Sequence, residues 1–139
     1  MMQINRSTDY AIRAIVHLAK ESNPVSSSKL SAVIGVSSRY LMQIGAKLRD
    51  ADFVTVTHGP SGGYELKQPP NRISLYDIIT TMENPGEKQH KQSGDEFQML
   101  EHAYDYIDTI LIKLLKSITI ESFLNRSDEQ WFLASYLLR

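Results

Sequence analysis

Cysteine is missing from this 139-residue sequence, and proline (5), glycine (7) and tryptophan (1) are sparse. Without thiols there is no disulfide, no cysteine nucleophile, no Cys-type zinc site and no cysteine-ligated iron–sulfur cluster. The absence suits a reducing compartment. Proline and glycine are too few for a collagenous or low-complexity chain, and 42% hydrophobic with 22% charged residues is ordinary globular composition. No run approaches the ~18 apolar residues of a membrane span. The opening Met1-Met2-Gln3-Ile4-Asn5-Arg6 has no apolar stretch of the signal-peptide kind. The expectation is a cytoplasmic protein without a membrane partner.

An excess of one charge sign is also lacking: 15 Lys and Arg stand against 16 Asp and Glu, a net −1. That average hides two unlike halves. Residues 1–80 carry 9 basic and 6 acidic side chains (+3), whereas residues 81–139 carry 6 basic and 10 acidic (−4). Such a division is expected if only the first half approaches phosphate.

What is present reads as a series of short helices. From Ser7, a plausible cap, to Lys20, the residues Tyr10, Ala11, Ala14, Ile15 and Leu18 recur on one helical face. Ser22-Asn23-Pro24 ends that helix. Ser26-Ser27-Ser28 precedes a short helix through Leu30, Val33 and Ile34, stopped by Gly35. Ser37 or Ser38 then caps a third helix reaching about Ala51. Two helices joined by a glycine-bearing turn have the outline of a helix-turn-helix. Two β-type runs follow, Phe53–Val56 and Tyr64–Lys67, around the turn-forming Thr57-His58-Gly59-Pro60-Ser61-Gly62-Gly63. A helix-turn-helix followed at once by a hairpin is a winged helix.

Beyond Pro69-Pro70, Ser74 and Asp77 resemble a capping box for a helix through Leu75, Ile78, Ile79 and Met82. Residues 84–96 are polar and read as a loop. A long helix spans about Phe97 to Ser117, with Leu100, Ile107 and Leu114 in one seven-residue series and Tyr104, Leu111 and Ile118 in another. Ala103 and Ile110 lie between them. Sustained seven-residue spacing marks a seam against another helix, and a second copy of the chain could supply it. Thr119 can cap a short turn from Ile120 to Leu124, and Ser127 with Gln130 makes a capping box ahead of Trp131, Phe132, Ala134, Tyr136, Leu137 and Leu138. That last segment is too apolar to be left in water. The fold class is therefore mainly α with a small β-wing. A winged helix-turn-helix domain occupies residues 1–83, a linker 84–96, and a dimerisation helix with its tail 97–139.

Helical geometry divides the third helix by role. Leu41, Ile44, Leu48 and Ala51 share a narrow arc that faces a core, and Arg39, Met42, Gln43 and Ala46 lie opposite. Arginine can bridge guanine O6 and N7, and glutamine can pair with adenine. Both residues stand in the first turns, where a recognition helix meets base edges. Ser28, Ser37 and Ser38 lie near helix starts, where hydroxyls and free N–H groups can receive phosphate. Lys47, Arg49 and Lys67 could add phosphate contacts. His58 stands at the wing tip, and its protonation would strengthen DNA binding as pH falls. Gly45 costs roughly 1 kcal/mol against alanine in mid-helix, so a close helix–helix approach is expected there. His17 reads as structural.

Four segments together resemble a known family. They are Tyr10-Ala11-Ile12-Arg13-Ala14, Ser38-Arg39-Tyr40-Leu41-Met42-Gln43, Gly59-Pro60-Ser61-Gly62-Gly63-Tyr64 and Ile73-Ser74-Leu75-Tyr76-Asp77-Ile78-Ile79. The family is the Rrf2 group of bacterial winged-helix transcription regulators, of the IscR, NsrR and CymR kind. The resemblance runs from about Met2 to Leu124. It implies a homodimer whose long helices cross, with paired recognition helices and wings on double-stranded DNA. It carries Tyr40 and the wing residues Gly59, Ser61 and Gly62 into the DNA-contact set. Cluster-binding members hold iron and sulfide on three cysteines near the start of the long helix, and none is present here. Met99 stands where the last would fall, with His102 three residues on. No iron–sulfur centre or other cofactor is expected. Met42 replaces a base-reading glutamate of some members, Ser61 a usual glycine and His58 a usual arginine. The operator sequence does not carry over.

The functional expectation is a sequence-specific, homodimeric transcription regulator, more a repressor than an activator, answering to an unidentified small-molecule or protein effector. The competing reading is a protein–protein interaction module whose winged helix no longer reads DNA. Enzymatic activity is not expected: His17, His58, His90 and His102 are scattered, with no nucleophile–base or metal-ligand spacing. A metal sensor built from His90, Asp95, Glu96 and His102 is the remaining minor alternative.

Overall fold

A computed structural model describes residues 4–83 and 94–124. Helix α1 (Arg6–Lys20) starts one residue ahead of Ser7, because Asn5 is the better cap. The Asn5 side chain accepts from the Thr8 N–H at 3.0 Å and from the Ser7 and Thr8 hydroxyls. Ala11, Ala14, Ile15 and Leu18 are buried, as their spacing requires. Helix α2 (Ser27–Ile34) is capped by Ser26 and closed by Gly35 at φ 77°. Leu30 and Ile34 enter the core, whereas Val33 is half exposed. Helix α3 (Ser38–Asp50) is capped by Ser37, whose hydroxyl accepts from the Tyr40 N–H.

Strands β1 (Val54–Thr57) and β2 (Gly63–Leu66) pair antiparallel, with Val54 opposite Leu66 and Thr57 opposite Gly63. Each begins one residue away from the sequence expectation. Phe53 is occupied otherwise: its N–H bonds the Leu48 carbonyl and so closes α3. Val25 adds a short third rung, exchanging backbone hydrogen bonds with Tyr64 at 2.8 and 2.9 Å. That rung ties the start of α2 to the hairpin.

Helix α4 (Leu75–Glu83) opens on the expected reciprocal box. The Ser74 N–H bonds the Asp77 carboxylate, and the Asp77 N–H bonds the Ser74 hydroxyl. After a 3₁₀ turn at Asp95–Phe97 comes the long helix α5 (Gln98–Ser117). The chain then folds back onto the body. Leu75 N–H bonds the Ile118 carbonyl and Ile120 N–H bonds the Ile73 carbonyl, both at 2.9 Å. Ile120 is fully buried in the main core, so residues 118–124 complete the body formed by 4–83. Ile118 is only 4% exposed and sits inside its own chain beyond the end of α5. It cannot also serve an outward seam, because its side chain is already covered where the chain turns back, and it leaves the dimerisation set.

The remaining seam residues behave differently. Leu100, Tyr104, Ile107 and Ile110 are 49%, 56%, 59% and 48% exposed. Ala103 is exposed, and Leu111 and Leu114 are half-buried. Leu115, on the other face, is buried, and Lys116 caps the Tyr76 ring at 4.8 Å. The linker residues 84–93 and the capping box with its apolar segment at 127–138 lie outside the described residues.

Candidate nucleic-acid interface

The core stripe of α3 fixes what its other face can do. Leu41, Ile44 and Leu48 are at most 2% exposed, so Arg39, Met42, Gln43 and Lys47 are turned outward and all are exposed. Arg39 and Lys47 make no ion pair among the described residues, and each can meet a phosphate or base without first breaking a bond. Arg49 is placed otherwise. It lies in the last turn of α3, about 15 Å along the axis from Arg39, and pairs with Asp50 at 3.3 Å. Lys67 is held by Asp52 at 2.9 Å. Exposed pairs of this kind are worth about 0–1 kcal/mol and are exchangeable for phosphate.

Tyr40 is half-buried and meets Tyr10 edge-on, with ring centroids 5.9 Å apart. It lines a hollow of about 70 Å³ with Ser7, Gln43, Ile44, Lys47 and Met82. Its ring therefore supports α3 as well as bordering the outer face.

A groove of about 320 Å³ runs between helix and wing. Ser26 and Ser27 at the start of α2, Met42 of α3, and Thr57, His58, Gly59, Pro60 and Gly62 of the wing line it. The free N–H groups at the start of α2 lie at one edge, where an anion is favoured. Ser28 and Ser38 are exposed in the first turns of α2 and α3, whereas the hydroxyl oxygen of Ser37 is engaged in its cap. His58 and Ser61 project from the wing as exposed residues. Among the described residues the lining brings no carboxylate to the groove, which suits an approaching phosphate.

The tight wing depends on glycine. A Cβ at Gly62 would overlap the Thr57 carbonyl, and the Gly62 N–H closes the turn onto Gly59. Gly45 departs from the sequence expectation. Its close neighbour is the wing tyrosine, not another helix, and a Cβ there would lie 2.6 Å from Tyr64 Cε1. Tyr64 is 6% exposed and packs edgewise on α3 at this point. The missing side chain thus sets the distance between recognition helix and wing.

Two further positioning residues escape sequence reasoning. Val25 carries the third rung of the wing, and nothing in Pro24-Val25-Ser26 reads as a strand. Glu83, the last residue of α4, accepts from the Asn5 N–H and the Thr8 hydroxyl at 3.0 Å each. It anchors the front of α1, which carries Tyr10 against Tyr40. A partner 75 residues away in sequence leaves no local signal.

Helix-turn-helix, glycine-closed wing and unpaired basic face define a winged-helix DNA-binding protein. The comparisons give the family: Rrf2, described as an iron-dependent transcriptional regulator, matches residues 4–126. The chain belongs to that family. Among solved structures it is similar to CymR, the global cysteine regulator of B. subtilis. Identity there is 26% over 92% of this chain and all of that one, with a TM-score of 0.72. It is also similar to IscR of T. potens, at 27% identity over 92% of this chain and 90% of that one, with a TM-score of 0.74. A chain from Listeria innocua aligns at 25% identity over 93% and 90%, with a TM-score of 0.77. Rrf2 regulators bind DNA and act as dimers.

The iron chemistry implied by the family description does not fit the residues described. The sequence offers no thiolate, and no group of three or more His, Asp or Glu able to hold a metal occurs among the described residues. Asp95, Glu96 and His102 are exposed near the start of α5, and His90 lies outside the described residues. Within the described residues no helix is long and apolar enough to cross a membrane.

Proposed function

We propose that this chain is a homodimeric, sequence-specific DNA-binding regulator, acting as a repressor in the cytoplasm without an iron–sulfur cluster and without enzymatic activity. The observation that carries the reading is the outward face of α3. Arg39, Met42 and Gln43 stand exposed in its first turns, beside a wing whose groove brings no carboxylate. Arg39 and Gln43 read base edges, Met42 offers an apolar contact to a thymine methyl, and Lys47 takes a phosphate. Ser28 and Ser38, with Gly59, Ser61 and Gly62 of the wing, supply backbone contacts, and Arg49 joins once it exchanges Asp50 for phosphate.

The second half of the proposal rests on α5. Leu100, Ala103, Tyr104, Ile107, Ile110, Leu111 and Leu114 form its seam, and a second copy covers them. Two-fold symmetry then places two recognition helices on half-sites roughly 34–36 Å apart, giving a pseudo-palindromic operator. A mobility shift with the promoter of its own operon, followed by footprinting, tests the reading. A protected palindrome is expected, with affinity falling steeply as salt rises. Binding that ignores salt and sequence would instead favour the protein–protein module.

A further inference from the structure

A second groove lies on the face of the body formed by α1 and the Ile120–Phe123 turn, away from α3 and the wing. It holds about 250 Å³ and is lined by Ile12, Arg13, Val16, His17, Lys20 and Phe123. The floor is apolar and the rim basic. Arg13 is engaged by Asp9 at 3.0 Å, whereas Lys20 makes no ion pair among the described residues. His17 Nε2 is buried without a hydrogen-bond partner among the described residues, and Glu21 Oε1 at 3.6 Å is too distant to supply one. An unpaired buried nitrogen is unfavourable until a donor arrives. The volume is below the ~300–1,000 Å³ of small-molecule sites, so an aromatic side chain suits it better than a free effector.

We propose that residues 125–139 of the same chain occupy this groove, with Trp131 as the anchor. Phe123 forms one wall and Leu124 is the last residue before the segment, so the occupant begins at the groove's edge. Leu124 and Trp131 are seven peptide links apart and can span about 23–25 Å, ample for a return onto α1. The segment reads Asn125-Arg126-Ser127-Asp128-Glu129-Gln130-Trp131-Phe132. Two carboxylates, Asp128 and Glu129, therefore stand one residue ahead of two aromatic rings, matching a basic rim around an apolar floor. The indole N–H, a donor only, gives His17 Nε2 its missing partner. Docking covers Phe123, otherwise 37% exposed, and hides an apolar segment that could not remain in water.

Trp131 is the sole tryptophan, so intrinsic fluorescence of the full-length protein reads the docking directly. The expected emission is blue-shifted from free indole and poorly quenched by acrylamide. Val16→Asp should shift it to the red while operator binding persists. Lys20→Glu changes an exposed residue and tolerates folding, and it should raise quenching by a smaller step. A mixture with Trp131→Phe protein, whose groove is intact, distinguishes the source. If docking is within one chain, the Val16→Asp emission stays red in the mixed dimer. Recovery of the blue emission on mixing would place the segment in the partner's groove and overturn the proposal. So would a solvated Trp131 in the unmodified protein, or a blue emission that neither substitution moves.

Discussion

Helices α3 and α5 are both amphipathic, yet only one finds its apolar complement inside the chain. On α3 the stripe Leu41, Ile44 and Leu48 is at most 2% exposed, whereas on α5 Leu100, Tyr104 and Ile107 stay about half exposed. Composition alone does not explain the difference, since the α5 stripe is also built of large aliphatic and aromatic side chains. Position does: α3 is clasped by α1, α2 and β1, whereas α5 rests on α4, with Leu115 buried and Lys116 over the Tyr76 ring. One helix is finished by folding, and in the proposed dimer the other is finished by association. The contrast also sorts substitutions, with apolar losses on α3 read in stability and those on α5 in assembly.

The largest effect should come from α5. Ile107→Lys places a charge in the seam while leaving the body's core untouched, so a dimer should give way to a folded monomer. Losing the second half-site removes avidity on the order of 10²–10⁴, which a mobility shift would read alongside sedimentation. A variant that stays dimeric with full affinity would show that α5 is not the seam. Leu41→Ala offers the opposite signature. A cavity at that site should cost about 2–5 kcal/mol in denaturant unfolding, with no change in the oligomeric state of the remaining folded protein.

Gly45→Ala comes next, because it strikes the joint between helix and wing. A methyl 2.6 Å from the Tyr64 ring must displace the ring or the hairpin that carries it, and overpacking of this kind costs about 1–3 kcal/mol. DNA affinity should fall further than stability, since the wing is displaced relative to α3. Equal losses in the two would mean that Tyr64 yields locally. Arg39→Ala then separates base reading from phosphate contact. A bidentate partner of guanine is worth about 1–3 kcal/mol, and its loss should relax one operator position in a sequence selection. A uniform weakening over all sequences would make Arg39 a phosphate contact.

How far the sequence exposes this design follows from the range of each interaction. Caps and stops act over three or four residues, so Ser26, Ser37, Gly35 and the Ser74–Asp77 box stand where local chemistry puts them. Winged helix and recognition face follow from 3.6-residue spacing and glycine placement, which are local too. Contacts closed over long distances are not visible that way. Gly45 announces a close approach but not that Tyr64 makes it. Val25 looks like a connector until it pairs with Tyr64. Ile118 fits the seven-residue series of α5 perfectly well, yet the backbone hydrogen bond from Leu75 holds it where the chain turns inward. A heptad match says which residues could share a face, and only the chain's path says whether the helix is still running when it reaches them.

The smallest effect belongs to the wing tip and completes the comparison from its exposed side. His58 lines the groove beside Ser26, Ser27 and Thr57, and no carboxylate lines it. An imidazole there can meet the DNA backbone as a hydrogen-bond partner. One such contact is worth about 0.5–1.5 kcal/mol, a factor of roughly two to twelve in Kd. His58→Ala should weaken operator binding by that factor in a mobility shift while leaving the operator sequence preference unchanged, because a wing contact to the backbone carries no base information. Unchanged affinity would place His58 off the DNA. Loss of sequence preference would instead move His58 from backbone to base contact, and specificity would then be shared between wing and helix.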